Sequence, residues 1–102
     1  MVIKSEYSQQ ADTLKISISG DFTYDLHQQF TSAYKSLPAS GGRKYIIDLS
    51  RVEYMDSAAL GMLLLLRERV GNERANITLS GASKNVKNIL DISGFEQLFR
   101  IT

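Results

Sequence analysis

The chain has 102 residues, of which 43% are hydrophobic and 23% are charged, and its formal net charge is +1. This length suits a single domain, residues 1–102, with one hydrophobic core. The composition is that of a folded globular protein without the strongly basic surface of a direct nucleic-acid binder, and the absence of cysteine excludes a disulfide framework and a thiolate metal site. No signal peptide and no bilayer-spanning apolar run are visible, so we expect a cytoplasmic protein without membrane insertion.

Two stretches near the start alternate between apolar and polar residues, a pattern typical of strands with one face on a core. They cover residues 3–8 and 14–19, with a polar turn at residues 9–12 between them. We predict an antiparallel hairpin whose second strand ends at Gly20.

A helical spacing begins at Thr23, which is suited to cap the helix. The apolar residues lie three or four positions apart: Leu26, Phe30, Ala33, Tyr34 and Leu37. We predict that Pro38 stops this helix and that residues 39–42 form the loop to the next strand. A helix between two strands indicates a crossover connection.

The centre of the chain, residues 45–66, predicts a buried strand, a polar turn and a long helix. Residues 45–49 are almost continuously apolar, which favours a strand covered on both faces and paired at least partly in parallel. Asp56 and Ser57 are both suited to the N-terminal cap of a helix that begins close to Ser57.

The predicted helix after Ser57 is apolar around most of its circumference. Leu60, Leu63, Leu64 and Val70 form one face, which Met62, Leu65 and Leu66 extend. The helix is therefore either sandwiched between other elements or partly reserved for a partner.

The last third of the chain predicts a strand at residues 77–79, a helix capped by Ser83 with Val86, Ile89 and Leu90 inward, and a stop at Gly94. Phe95, Leu98, Phe99 and Ile101 then indicate a final edge strand. The complete order is ββαβαβαβ. We predict a small α/β domain with a mixed sheet of about five strands and helices packed mainly on one face.

Few arrangements of residues in the chain could carry chemistry. The single histidine, His27, lies on the polar side of a predicted helix, which favours a solvated surface role over metal binding. The turn around Ser57 lacks the glycines of a nucleophile elbow, and no phosphate-binding glycine loop is present. We therefore predict a protein that is not an enzyme and has no cofactor.

The helix entrance at Asp56 and Ser57 remains as a candidate site. Free N–H groups and the positive end of the helix dipole stabilise an anion there, so Ser57 is well placed to receive a phosphate. A phosphoserine adds about 1.5 to 2 negative charges beside Asp56 and would repel a partner. The alternative is that Ser57 only caps the helix and Asp56 only favours its positive end.

The segment from Tyr45 to Leu63 resembles the signature of the STAS family, the bacterial anti-sigma factor antagonists and their relatives. Those proteins commonly show an Asp-Leu run followed by Asp-Ser-Ser/Thr-Gly-Leu-Gly. Residues 20–23, Gly-Asp-Phe-Thr, resemble the family's earlier Gly-Glu-Leu-Asp. The order of strands and helices agrees over essentially the whole chain.

The resemblance implies a domain that binds a serine kinase acting also as an anti-sigma factor, is released when phosphorylated, and is restored by a PP2C-type phosphatase. The resemblance also allows a response regulator as the protein that the unphosphorylated domain binds. The predicted phosphorylation site is Ser57, and the predicted partner-binding residues are Thr23, Tyr24, Asp56, Ser57, Ala58, Leu60, Gly61, Ala82 and Ser83.

The chain departs from the family pattern in three places. Ala58 replaces a second hydroxyl and Ala59 replaces a glycine, so Ser57 alone can accept a phosphate. Thr23 replaces an aspartate that helps to engage the kinase. The C-terminal helix of longer relatives has no counterpart before Thr102, which we expect to leave apolar surface for a partner.

A second hypothesis keeps the fold and discards the switch. STAS-like domains also serve as subunits of lipid-transport ATPases or of larger signalling assemblies without phosphorylation. The exposed leucines could also support a weak homodimer, and the sequence does not decide between these uses.

Overall fold

A computed structural model of the chain describes residues 2–38 and 42–102, so most of the predicted loop at residues 39–42 lies outside the described residues. The elements follow the predicted order. They are β1 (Ile3–Ser8), β2 (Thr13–Phe22), α1 (His27–Lys35), β3 (Lys44–Met55), α2 (Ser57–Arg69), β4 (Asn76–Ser80), α3 (Lys84–Ile92) and β5 (Arg100–Ile101).

The five strands form one mixed sheet in the order β1-β2-β3-β4-β5. β1 pairs antiparallel with β2, and the other neighbouring strands pair in parallel. Buried residues face one another across the sheet: Leu14, Tyr45 and Ile77 form one row, and Ile16, Ile47 and Leu79 the next. The buried residues of all three helices belong to the same core. The predicted fold is therefore confirmed.

The prediction that the central strand is covered on both faces is wrong. In β3, buried residues alternate with Lys44, which is exposed, and with Ile46 and Asp48, which are half-buried. The helices cover one face only, and the residues between the buried ones look towards solvent. Residues 45–47 are all apolar because Ile46, although it points away from the core, is half-buried, and an apolar side chain is acceptable at such a position.

The predicted polar turn at residues 50–55 is also wrong, because these residues belong to β3. The register between β2 and β3 shifts twice, so that Ser17 pairs with Asp48, Ser19 with Arg51 and Asp21 with Tyr54. Each bulge adds a residue to β3 and breaks the two-residue period that identifies a strand from sequence. The prediction that Gly20 ends the second strand is wrong as well, because β2 continues through Gly20, whose φ is +86°, to Phe22.

The bulged part of β3 is held by its neighbours. The Asp48 carboxylate accepts a hydrogen bond of 3.0 Å from the Ser50 N–H. Gly81, after β4, comes so close that a Cβ atom there would lie 2.8 Å from the Ser50 Cβ. The Asn85 side chain on α3 donates to the Glu53 carbonyl at 3.2 Å. These contacts fix the path by which β3 reaches α2.

The inward face of α1 is confirmed, since Leu26, Phe30, Ala33 and Tyr34 are buried and Leu37 is partly buried. Its start differs from the prediction. A 3₁₀ turn, Tyr24–Leu26, precedes α1, and the Thr23 side chain makes no capping hydrogen bond.

The predicted face of α2 is partly wrong. The helix buries Ala59, Met62, Leu63 and Leu66, with Val70 at its end, whereas Leu64 and Leu65 are 40% and 51% exposed. With five apolar residues in a row, Met62 to Leu66, spacing could not tell which of them point inward. The helix lies on the sheet and is not sandwiched.

The end of the chain follows the prediction closely. The Ser83 hydroxyl caps α3 by accepting from the Val86 N–H at 3.2 Å, and Val86 and Leu90 are buried while Ile89 is partly buried. Gly94 has a φ of +71° just after the helix. The final edge strand, β5, has only two residues. Among the described residues, no helix is long and apolar enough to cross a membrane.

The amino ends of β2 and β3 are joined by a group of side chains that we call the Arg43 clamp, consisting of Tyr7, Asp12 and Arg43. The Tyr7 hydroxyl and the Arg43 Nε donate to the Asp12 Oδ1 at 2.8 and 3.1 Å. The Arg43 guanidinium also lies 5.1 Å from the centre of the Tyr7 ring and donates to the Pro38 carbonyl at 2.8 Å.

We expect the Asp12→Asn variant to lose less stability than the wild-type protein when the pH is lowered. The Tyr7 and Arg43 hydrogen bonds hold the pKa of Asp12 below its ordinary value. The clamp therefore stabilises the fold above the unfolded-state pKa of about 4, and this contribution is lost as pH falls through the lower folded-state pKa. Urea midpoints at neutral pH and in acid measure the effect. Asp91→Asn, which removes an exposed carboxylate from α3, is the control, and an equal response of both variants would contradict the expectation.

Candidate functional site

The segments predicted to bind a partner meet at the carboxyl edge of the sheet. β2 and β3 run in parallel and end with the pair Phe22 and Met55. Thr23 and Tyr24 therefore follow one strand at the point where Asp56 and Ser57 follow the next. A backbone hydrogen bond of 3.3 Å from the Asp56 N–H to the Phe22 carbonyl joins the two exits.

Asp56 links three parts of this edge. It is the N-cap of α2, with extended backbone angles, and its Oδ1 accepts from the Ala59 N–H at 2.8 Å. Its other oxygen, Oδ2, accepts from the Tyr24 N–H at 3.2 Å. One carboxylate thus caps the helix and also holds the loop after β2.

Ser57 is the first residue of α2 and is exposed. Since Asp56 provides the cap, the geometry does not support a capping role for Ser57. Within residues 2–38 and 42–102, the Ser57 hydroxyl makes no hydrogen bond to another residue of the chain. It is a free hydroxyl at the positive end of a 13-residue helix.

The other predicted partner-binding residues extend from this turn in two directions. Ala58, Leu60 and Gly61 are partly exposed on the first turns of α2. Ala82, partly exposed, and Ser83, exposed, precede α3, which the Asn85 hydrogen bond ties to the end of β3. The structure thus brings the predicted residues to the loops and helix starts around the ends of β2, β3 and β4.

Ala59, where the family pattern has glycine, is fully buried. Its methyl group is part of the hydrophobic core beneath the first turn of α2. Thr23, where the pattern has an acid, is partly buried and leaves the cap of the following 3₁₀ turn without a side-chain acceptor. The adjoining Tyr24 N–H is bound by Asp56 instead.

Two aromatic residues at this edge, His27 and Tyr54, were not predicted from the sequence to bind a partner. The His27 ring is stacked on Tyr24, with centroids 5.6 Å apart and planes inclined by 21°. Tyr24 is 67% exposed and Tyr54, next to the end of β3, is 49% exposed. Exposed aromatic side chains are common anchors of protein interfaces. The three-residue separation of Tyr24 and His27 was the sequence signal that could have indicated their contact.

Among the residues that the structure describes, no three histidine or acidic side chains converge on one point. His27 contacts Tyr24 and lies at the surface.

Comparison with known proteins identifies the family. The family model described as "Mlab, STAS domain" matches residues 5–100. The chain belongs to the STAS-domain family. A STAS-domain containing protein of Pseudomonas aeruginosa strain UCBPP-PA14 is 46% identical over 102 residues, covering 100% of both chains. The resemblance inferred from the two sequence motifs is confirmed.

One relative of this STAS domain carries the name of an anti-sigma factor antagonist. BtrV of Bordetella bronchiseptica, whose name gives it a proposed role of that kind, is 30% identical over 61 residues, which cover 60% of this chain and 53% of BtrV. The match thus spans about half the length of BtrV.

Solved structures share the fold of this STAS domain at low sequence identity. The crystal structure of tm1081 from Thermotoga maritima, described as that of a proposed anti-sigma factor antagonist, superposes with a TM-score of 0.78 at 15% identity, covering 97% of this chain and 84% of tm1081. The anti-sigma factor antagonist SpoIIAA in its unphosphorylated form gives 0.69 at 15% identity, with coverages of 98% and 86%. The STAS domain therefore has the SpoIIAA-like fold.

Proposed function

We propose that this STAS domain is an anti-sigma factor antagonist that binds a protein partner while Ser57 is unmodified and releases it when Ser57 is phosphorylated. The partner is an anti-sigma factor that is also a serine kinase, or a response regulator, and a PP2C-type phosphatase restores binding. The observation that carries the proposal is the exposed, unbonded Ser57 hydroxyl on the first turn of α2.

The chemistry of the turn supports such a switch. An exposed hydroxyl at a helix start is accessible to a kinase, and the dipole and free N–H groups favour the phosphate once it is attached. The phosphate adds about 1.5 to 2 negative charges beside the Asp56 carboxylate. A partner resting on Tyr24 and Ser57 would then have to desolvate both anions, which weakens binding.

We infer that the domain acts by binding and not by catalysis. In the described part of the chain, no histidine or acidic side chain makes a hydrogen bond with the Ser57 hydroxyl. This site therefore lacks the base that a serine nucleophile requires.

Intact-mass spectrometry of the protein isolated from its own cells tests the proposal. We expect a species heavier by about 80 daltons, the mass of one phosphoryl group, that disappears on treatment with a PP2C phosphatase. Ser57→Ala should show no such species. A phosphorylated species that persists in Ser57→Ala would place the modification elsewhere.

The alternative, a subunit of a lipid-transport ATPase or a larger signalling assembly, is favoured by exposed side chains on α2. Leu64 and Leu65 offer apolar contact surface that needs no modification to bind. This use predicts co-purification with an ATPase and a single unmodified mass.

A further inference from the structure

We infer that Asp56 is a positioning residue that couples phosphorylation of Ser57 to the conformation of the Tyr24 loop, so that adding the phosphate detaches the Tyr24 N–H. The inference rests on the proposed function, because it assigns the way in which that switch acts. It gives Asp56 a role beyond capping α2.

The two hydrogen bonds of Asp56 are unequal. The Ala59 N–H lies 2.8 Å from Oδ1, whereas the Tyr24 N–H lies 3.2 Å from Oδ2, at the long end of the usual range. Ala59 is held in α2 by the helix itself. Tyr24 is the first residue of a short 3₁₀ turn, and among the described residues its N–H has no acceptor other than Asp56. The Tyr24 bond is therefore the weaker of the two.

A phosphate on Ser57 acts directly on this arrangement. It places a dianion on the residue next to the carboxylate, and the two anions repel each other. The phosphate can also accept from the free N–H groups of the first turn of α2. If the carboxylate turns away, the phosphate can still accept from the Ala59 N–H, whereas the Tyr24 N–H loses the one acceptor that it has among the described residues.

Release of the Tyr24 N–H alters a surface predicted to bind the partner. The Tyr24 ring is 67% exposed and stacks on His27. Its backbone position is set by the Asp56 bond together with the 3₁₀ turn that begins at Tyr24. Phosphorylation would therefore weaken binding both by charge at Ser57 and by loss of a fixed Tyr24.

The test is residue-resolved amide hydrogen exchange by NMR on the full chain, with phosphoserine incorporated at position 57 during synthesis so that no kinase is needed. We expect the Tyr24 amide to exchange about ten-fold faster in the phosphorylated protein, the factor expected for loss of a charge-assisted hydrogen bond. The Ala59 amide serves as the internal reference and should change little. A nearby negative charge slows hydroxide-catalysed exchange, so faster exchange at Tyr24 reports the lost bond.

Two variants of the unphosphorylated chain complete the test. Asp56→Asn keeps an acceptor for Ala59 but presents an amide nitrogen to Tyr24, so it should reproduce the faster exchange at Tyr24 alone. Asp25→Asn, which removes a neighbouring exposed carboxylate but no hydrogen bond to either amide, measures the effect of lost negative charge alone and should speed Tyr24 exchange much less than Asp56→Asn does. Unchanged Tyr24 exchange in the phosphoserine protein would overturn the inference, even if phosphorylation releases the partner. Faster Tyr24 exchange in a protein that is never phosphorylated in its own cells would sustain the coupling and refute the proposed function.

Discussion

Replacing Ser57 with aspartate is expected to weaken partner binding by about 100-fold, because juxtaposed charges at an interface cost several kcal/mol. Ser57→Ala should bind as tightly as the unmodified protein and should no longer respond to the kinase. Titration calorimetry with the protein that co-purifies with the wild-type chain measures both affinities.

Loss of binding in Ser57→Asp should not come from unfolding. An acidic residue in the first turn of a helix is favourable by about 0.3 to 1 kcal/mol, so the melting temperature should stay the same or rise. Ser32→Asp, on the exposed side of α1, adds the same charge away from the turn and should bind normally. Wild-type affinity in Ser57→Asp would show that position 57 does not control binding.

Leu63→Ala is expected to lower the free energy of unfolding by about 3 kcal/mol, because it removes a fully buried side chain and leaves a cavity. Leu65→Ala, two residues further along α2, should cost less than about 0.5 kcal/mol since Leu65 is 51% exposed. Urea unfolding of both variants measures the difference. Equal losses would mean that a second layer covers the outer face of α2.

The Leu65→Ala variant also distinguishes the two functions proposed for the domain, the phosphorylation switch and the structural subunit. A partner seated only on the Asp56 and Ser57 turn would tolerate Leu65→Ala, whereas a subunit contact along α2 would not. Titration calorimetry of Leu65→Ala with the same partner therefore distinguishes the two uses.

The overall fold could be predicted because its signals were local. The alternation in residues 14–19, the helical spacing from Leu26 to Leu37 and the cap at Ser83 each depend on a few neighbouring residues. The STAS resemblance then supplied a site at Ser57, and the structure places Ser57 in the open at the edge where the predicted loops meet.

What could not be predicted depends on residues far apart in the chain. The bulges of β3 exist only in its pairing with β2, so residues 50–55 looked like a turn. Asp56 and Ser57 are equally good caps by composition, and only the position of Tyr24, 32 residues away, shows that Asp56 has two acceptor roles. The inward face of α2 likewise depends on where the sheet lies.

The Arg43 clamp lies at the opposite end of β2 and β3 from Ser57. Its residues come from three separate parts of the chain and include an Arg43 that is 8% exposed. Substitutions in the clamp can therefore alter stability without touching the Ser57 edge, and substitutions of exposed residues such as Ser57 can alter recognition without touching the clamp. A lineage of such domains could thus change partners without first acquiring a more durable scaffold.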